Sequence, residues 1–301
     1  MNLQNILTEI EKVDPEVYDR IDTRRSAMQR FATVGKVLAA AAVPMAFGSM
    51  FKKAYGQTPT DVLDVLNYAL TLEYLESEFY KAAVSSAAAA SASAADRTAL
   101  TVIRDHEAAH VTFLRAAITA SGGTPVTFTA ASFDFSGGSG PGGTPNAGPF
   151  ASAFTVYPVL LAVAQTFEDT GVRAYKGQAG RLINNNDVLT AALQIHAVEA
   201  RHAAKVRHMR RVLTGTNLVP AGTTLQPWIT LAQSGIDTGN AGVNAAIQKS
   251  YAGEEIVTQA TVGITNINGQ TVAATEASES FDEPLTTQET VSIANLFIDN
   301  R

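Results

Sequence analysis

Two twelve-residue stretches constrain this chain more than any other feature. Residues 103–114 read Ile-Arg-Asp-His-Glu-Ala-Ala-His-Val-Thr-Phe-Leu, and residues 195–206 read Ile-His-Ala-Val-Glu-Ala-Arg-His-Ala-Ala-Lys-Val. At helical spacing Leu100, Ile103, Glu107, His110, Val111 and Leu114 share one face, as do Ala192, Ile195, Glu199, His202, Ala203 and Val206. Each face is a core stripe interrupted by a carboxylate and an imidazole one turn apart. An unpaired charge in an apolar interior costs several kcal/mol, so such groups are paired or bind metal. With 15 Glu and 5 His in 301 residues, chance places Glu three before His about a quarter of once; it happens twice. The Glu-x-x-His pair is the element with which helix bundles build carboxylate-bridged metal sites.

Two further carboxylates complete the pattern. Residues 61–86 read as a helix started at Thr60 or Asp61, with Leu66, Ala69, Leu70, Glu73, Glu76 and Tyr80 on one face. An Ala/Ser stretch, 87–95, reads as a loop or frayed turn, after which Asp96 caps a second helix, 97–121, stopped by Gly122-Gly123. So short a link makes the two helices antiparallel neighbours. The third helix, 155–180, places Leu161, Ala164, Gln165, Glu168, Val172 and Tyr175 together, and the fourth runs from Asp187 to Gly215. Glu73 precedes Tyr80 by seven residues, and Glu168 precedes Tyr175 by seven. The gaps from Glu73 to Glu107 and from Glu168 to Glu199 are also comparable, so the chain reads as two related helical hairpins facing each other.

Between the hairpins, residues 122–150 are rich in Gly, Pro and Ser with Phe128, Phe133 and Phe135 spaced through them, a long crossover between helices 2 and 3. Beyond residue 215 the pattern turns irregular, with a small hairpin expected over 257–272 around Asn268-Gly269 and a short helix over 287–297. The chain therefore divides into an N-terminal segment (1–57), a four-helix bundle (58–215) and a C-terminal extension packing on it (216–301). In the first, Arg24-Arg25 ahead of the apolar run 37–47 and Ala54-Tyr55-Gly56 resembles a twin-arginine export signal, which implies the periplasm or cell envelope. An accessory amphipathic helix and a cytoplasmic protein is the alternative. The apolar run is too short and interrupted to span a membrane.

Composition excludes some chemistry. Cysteine is absent, which removes disulfides, thiolate metal sites and Cys nucleophiles. A net charge of −6 without a dense Lys/Arg stripe excludes a nucleic-acid surface. Four carboxylates and two imidazoles are a hard oxygen/nitrogen donor set suited to two Fe or two Mn ions, and less natural for zinc. Glu73, Glu107 and His110 would hold one ion, Glu168, Glu199 and His202 the other, with Glu107 and Glu199 bridging. Glu76 is an extra ligand or a hydrogen-bond acceptor beside the ligands. Tyr80 and Tyr175 can donate to ligand carboxylates, or simply pack. His196 lies close enough to Glu199 to support a ligand, with a core or surface histidine as the alternative, whereas His106 and His208 read as ordinary. In the competing reading each Glu pairs with Arg104, Arg173 or Arg201 on solvated helix faces.

In this order of ligands the sequence resembles the ferritin-like superfamily. More narrowly, residues 66–76, 167–175, 198–202 and 277–286 are similar to the bacterial ferritin-like-domain family that includes plant desiccation-related proteins. The resemblance implies a mainly α fold: a ferritin-like four-helix bundle carrying a di-iron or di-manganese centre, here with a long crossover and an irregular C-terminal extension with a small β-hairpin. The resemblance supplies no reaction; the donor set itself, with two ions bound, raises two expectations, oxidation of Fe(II) by a ferroxidase and activation of O2 or peroxide by an oxidoreductase or catalase-like enzyme. The alternative is a non-catalytic structural, stress-protective or metal-sequestering protein. Metal ions and O2 or peroxide are the expected partners, with a homo-oligomer possible.

Overall fold

Leu is the commonest residue of 59–84, and apolar residues at every third or fourth place give the first long helix, α1 (Pro59–Val84). The structure, a computed structural model, describes residues 59–140, 143–213 and 218–299. The export-like segment at 24–47 lies outside the described residues. Of the loop or turn expected after α1, the structure has one short helical turn, α2 (Ala87–Ala90), with Ser86 accepting from the amide of Ala89. Ser93, not Asp96, caps the next helix, α3 (Ala94–Ala120), by accepting from the Asp96 amide at 3.1 Å. Asp96 sits inside the first turn, where its charge still suits the helix dipole. Gly122, at φ +80°, ends α3 as the Gly pair predicts.

The second hairpin is built from α4 (Tyr157–Ala179) and α5 (Asn186–Arg211), the latter capped by Asn185 on the Val188 amide. α5 closes at Arg211, short of Gly215, which lies outside the described residues. α1 packs extensively on α3 and α4 on α5, and the two hairpins face each other through α1 with α4 and α3 with α5. None of the described helices is long and apolar enough to cross a membrane.

α4 is buried almost all round: every residue from Val159 to Tyr175 is buried. A helix covered on every side needs neighbours on every side, and the C-terminal extension supplies the outer cover. The crossover and the extension both supply aromatic packing: Phe135 of the crossover meets Phe79 of α1 edge-on at 5.6 Å, and Phe297 of the extension meets Phe167 of α4 at 4.7 Å. Backbone bonds from Asp134 to the Phe297 carbonyl and from Asp299 to the Ser132 carbonyl fasten the chain's end to the crossover.

The extension holds more structure than its sequence announces. A helix, α6 (Ala241–Gln248), is capped by Asn240, which accepts from the amides of Gly242 and Val243. The single expected hairpin is two minimal ones, β1 (Thr258–Gln259) with β2 (Val262–Gly263) and β3 (Asn266–Ile267) with β4 (Gln270–Thr271). The second turns at Asn268-Gly269 as expected, but the first turns at Ala260-Thr261, both at positive φ. A β-branched Thr in that conformation is uncommon, so no turn signal marks the site. Two short helices follow, α7 (Ala274–Ser278) and α8 (Thr287–Ala294).

Buried ions bind the extension to α4. Arg173, only 1% exposed, pairs with Glu254 at 2.7 Å and donates to the carbonyls of Ser250, Ala252 and Glu283. Asp169 takes both Nε and Nη2 of Arg207 and the hydroxyl of Tyr251. Breaking a buried pair by removing one partner destabilises by about 3–5 kcal/mol because a charge is left unmatched. Arg173→Met should therefore lower the stability measured by urea unfolding by about that much, and the double change Arg173→Met with Glu254→Gln should recover part of the loss.

Candidate metal centre

The side chains that interrupt the apolar stripes all turn inward. Glu73, Glu107, Glu168 and Glu199 are fully buried, His202 is 4% exposed and His110 is 9% exposed. They come from α1, α3, α4 and α5, one carboxylate per helix, with the two histidines a turn further along α3 and α5. Two groups could each hold a metal ion: Glu73, Glu107, His110 and Glu199, and Glu107, Glu168, Glu199 and His202, with the donor atoms of each group within 4.8 Å of one another. Glu107 and Glu199 belong to both.

The contacts inside this cluster suit a cation better than hydrogen bonds. Nδ1 of His110 lies 3.0 Å from Glu73 Oε2, 3.1 Å from Glu107 Oε2 and 3.2 Å from Glu199 Oε1. One ring nitrogen carries at most one hydrogen and cannot serve three carboxylates at once. Nδ1 of His202 lies 2.8 Å from Glu107 Oε1 and 3.3 Å from Glu168 Oε2, off the line a hydrogen bond needs. Glu107 Oε1, Glu168 Oε2, both oxygens of Glu199 and His202 Nδ1 thus have no hydrogen-bond partner although fully buried. Convergent lone pairs of this kind fit divalent ions, which take oxygen and imidazole donors together.

Electrostatics give the same answer. Burial pushes Glu199 far above the usual carboxylate range, and the charges of Glu107 and Glu73 add to the push. Glu107 is raised by burial to about 7, against the pull of His110 and His202. Burial is also the largest influence on Glu73, but the charge of His110 and hydrogen bonds from His110, Glu107 and Tyr175 together outweigh it and leave the carboxyl below its ordinary value. His202 is raised to about 11: burial alone would lower it, and Glu168 and Glu107 overcome that. Protons on these groups occupy the place that a cation's charge would take.

The tyrosines are exchanged between the hairpins. Tyr80 of α1 donates to Glu168 Oε1 of α4 at 2.5 Å, and Tyr175 of α4 donates to Glu73 Oε1 of α1. Each fixes one oxygen of a carboxylate whose other oxygen faces the cluster. Glu76 is buried with a carboxyl far above its ordinary range, through burial first and the charge of Glu199 next, yet it belongs to neither donor group. Gly171 of α4 makes room for it, because a Cβ there would lie 3.0 Å from Glu199 Oε2 and 3.2 Å from Glu76 Oε1. A glycine inside a helix costs up to about 1 kcal/mol, and here a side chain would enter the carboxylate cluster.

Gln165 and His106 differ from expectation, and His196 takes the second of its two readings. Gln165 points away from the cluster, donating to Tyr251 and the Ser234 carbonyl of the extension. His196 contacts the backbone carbonyl of Val172 at 2.8 Å and no cluster side chain. His106, read as ordinary, places Nδ1 2.9 Å from Nε2 of His202. The arginines of the competing reading lie elsewhere: Arg104 pairs with Asp105 on the surface, Arg173 serves the extension, and Arg201 is exposed.

Residues 61–211 match the family model described as a ferritin-like domain. No curated protein and no solved structure matches the chain.

The metal-free centre has a definite pH dependence. Glu107 is raised from 4.5 to about 7, so its contribution to stability is full below pH 4.5 and lost as pH rises towards 7. His202, raised from 6.5 to about 11, loses its contribution between those values. In chelator the melting temperature should fall from pH 5 to pH 8, while metal affinity rises over the same window as protons leave the donors. Mn(II) at about 100 times its dissociation constant adds about 2.7 kcal/mol, or about 5–10 °C for a domain of this size. With the Mn(II) concentration held fixed, the shift should be larger at pH 8 than at pH 5 in thermal melts, because the dissociation constant falls as pH rises.

Proposed function

The chain belongs to the ferritin-like domain family, and on that footing we propose that it is a di-metal carboxylate protein that oxidises Fe(II) or activates O2 or peroxide in the middle of its bundle. The observation that carries the reading is the pair of overlapping donor groups sharing Glu107 and Glu199. Two ions need two adjacent positions, and two carboxylates common to both are what would bridge them. Glu73 and His110 would complete one position, Glu168 and His202 the other.

Two Fe or Mn ions held there would supply paired one-electron chemistry towards dioxygen or peroxide. The chain's own residues do the rest. Burial of all four carboxylates excludes bulk water and strengthens every electrostatic contact inside. Tyr80 and Tyr175 hold Glu168 and Glu73 by one oxygen each, leaving the other to the centre. Glu76 adds a fifth carboxyl beside Glu199, one that burial favours in its protonated form and that can give or take a proton. A narrower kinship with bacterial ferritin-like-domain proteins and plant desiccation-related proteins would rest on stretches such as 66–76 and 277–286, and the proposed reaction does not draw on it.

Elemental analysis of protein from its own host should find about two Fe or Mn per chain, as donor sets of this kind hold two ions. With Fe(II) added, an oxygen electrode should record uptake faster than the iron-only control. Glu107→Ala and Glu199→Ala should return the rate to that control. Metal at this stoichiometry with no oxygen or peroxide consumption would overturn the catalytic reading and leave a sequestering or structural one.

A further inference from the structure

The two half-centres use corresponding residues, Glu73, Glu107 and His110 against Glu168, Glu199 and His202, but their surroundings are not alike. His106 stands immediately before Glu107, whereas Val198 holds the corresponding place before Glu199. His106 reaches from α3 across to α5, where its Nδ1 lies 2.9 Å from Nε2 of His202. The two rings lie nearly coplanar and edge to edge, with centroids 5.2 Å apart and an angle of 19° between planes, as a direct bond between the two nitrogens requires. Among the described residues no hydrogen bond reaches Nε2 of His110.

We propose that His106 is a positioning residue for His202, and that it makes the two metal positions inequivalent. The ion held by Glu107, Glu168, Glu199 and His202 depends on His106, and the ion held by Glu73, Glu107, Glu199 and His110 does not. This rests on the di-metal reading. His202 can offer a lone pair from Nδ1, the nitrogen nearest Glu107 and Glu168, only if its hydrogen sits on Nε2. That hydrogen needs an acceptor, and His106 Nδ1 is placed to be one. That contact also ties the His202 ring in the orientation that turns Nδ1 to the cluster. Partners of ligand histidines are commonly carboxylates. Here a sixth carboxylate would join Glu73, Glu76, Glu107, Glu168 and Glu199, and a neutral imidazole fixes the same orientation without adding negative charge.

Co(II) titration of the full chain tests this, followed by calorimetry and by the d–d absorption of the bound ion. The native protein should bind two Co(II). His106→Ala should weaken one of the two dissociation constants by about 10–100-fold, the usual effect of removing such a partner, and leave the other unchanged. His106→Asn, whose side-chain oxygen can accept from Nε2, should restore most of the lost affinity. Melting of the metal-free variants shows that each is folded, and the Asn variant decides the matter if the Ala variant is not. Equal weakening of both constants, or no weakening of either, overturns the proposal. A native protein that binds no Co(II), Fe(II) or Mn(II) overturns instead the di-metal reading beneath it.

Discussion

Five carboxyl groups share one dry interior with two imidazoles, and the rest of the bundle is arranged around that imbalance. Bringing one carboxylate out of water already costs several kcal/mol; bringing five together adds mutual repulsion, seen in how far Glu76 and Glu199 are driven towards the protonated form. No cluster of this composition forms for packing's sake, since a leucine would do better at each place. The interior compensates within its means. Tyrosine hydroxyls take one oxygen of Glu73 and one of Glu168, and the histidine nitrogens stand among the remaining oxygens. What is left over is a set of unmatched lone pairs aimed at two adjoining points.

The doubled pattern of the sequence explains how so awkward a set can be assembled. Each hairpin contributes Glu, Tyr, Glu and His in the same order, and each tyrosine serves the other hairpin's carboxylate. Neither hairpin satisfies itself, so the halves are held face to face by the same bonds that orient the ligands. Departures from the repeat are then informative. Glu76 stands where the second hairpin has Gly171, and the glycine leaves the room that the extra carboxylate occupies. His106 stands where the second hairpin has Val198, and only His202 gains a partner ring.

Much of this was legible in the sequence because helical period and residue chemistry coincide there. Glu107, His110, Glu199 and His202 break apolar stripes, and Glu73 and Glu168 lie at matching distances before them. Contacts set by the neighbouring helix or by the extension were not legible. His106 carries no periodic signal, since its role depends on α5 passing within reach. Gln165 shares a helical face with Glu168 by count, but a covering chain some seventy residues later captures it. The turn at Ala260-Thr261 and the cap at Ser93 escaped for a local reason: the first uses residues that seldom adopt positive φ, and the second competes with a better-looking acid three residues on.

The same reasoning makes the C-terminal extension part of the bundle rather than an ornament. Glu168 and Asp169 are adjacent on α4, and a helix turns about 100° per residue, so they leave the axis on different sides. Glu168 enters the cluster, and Asp169 would meet solvent if nothing covered that face. It is instead buried, paired with Arg207 and bonded to Tyr251 of the extension. Arg173, one turn further, is likewise saturated by Glu254 and three carbonyls of the extension. Gly177 completes the seat, since any Cβ there would run into the carbonyl oxygen of Leu285. α4 is therefore clamped from outside at Asp169, Arg173 and Gly177, and from inside it presents Glu168, Gly171 and Tyr175. Fixing the outer positions limits roll and slide of the helix, and with them the placement of the inner ones, which an arrangement of donors within 4.8 Å requires.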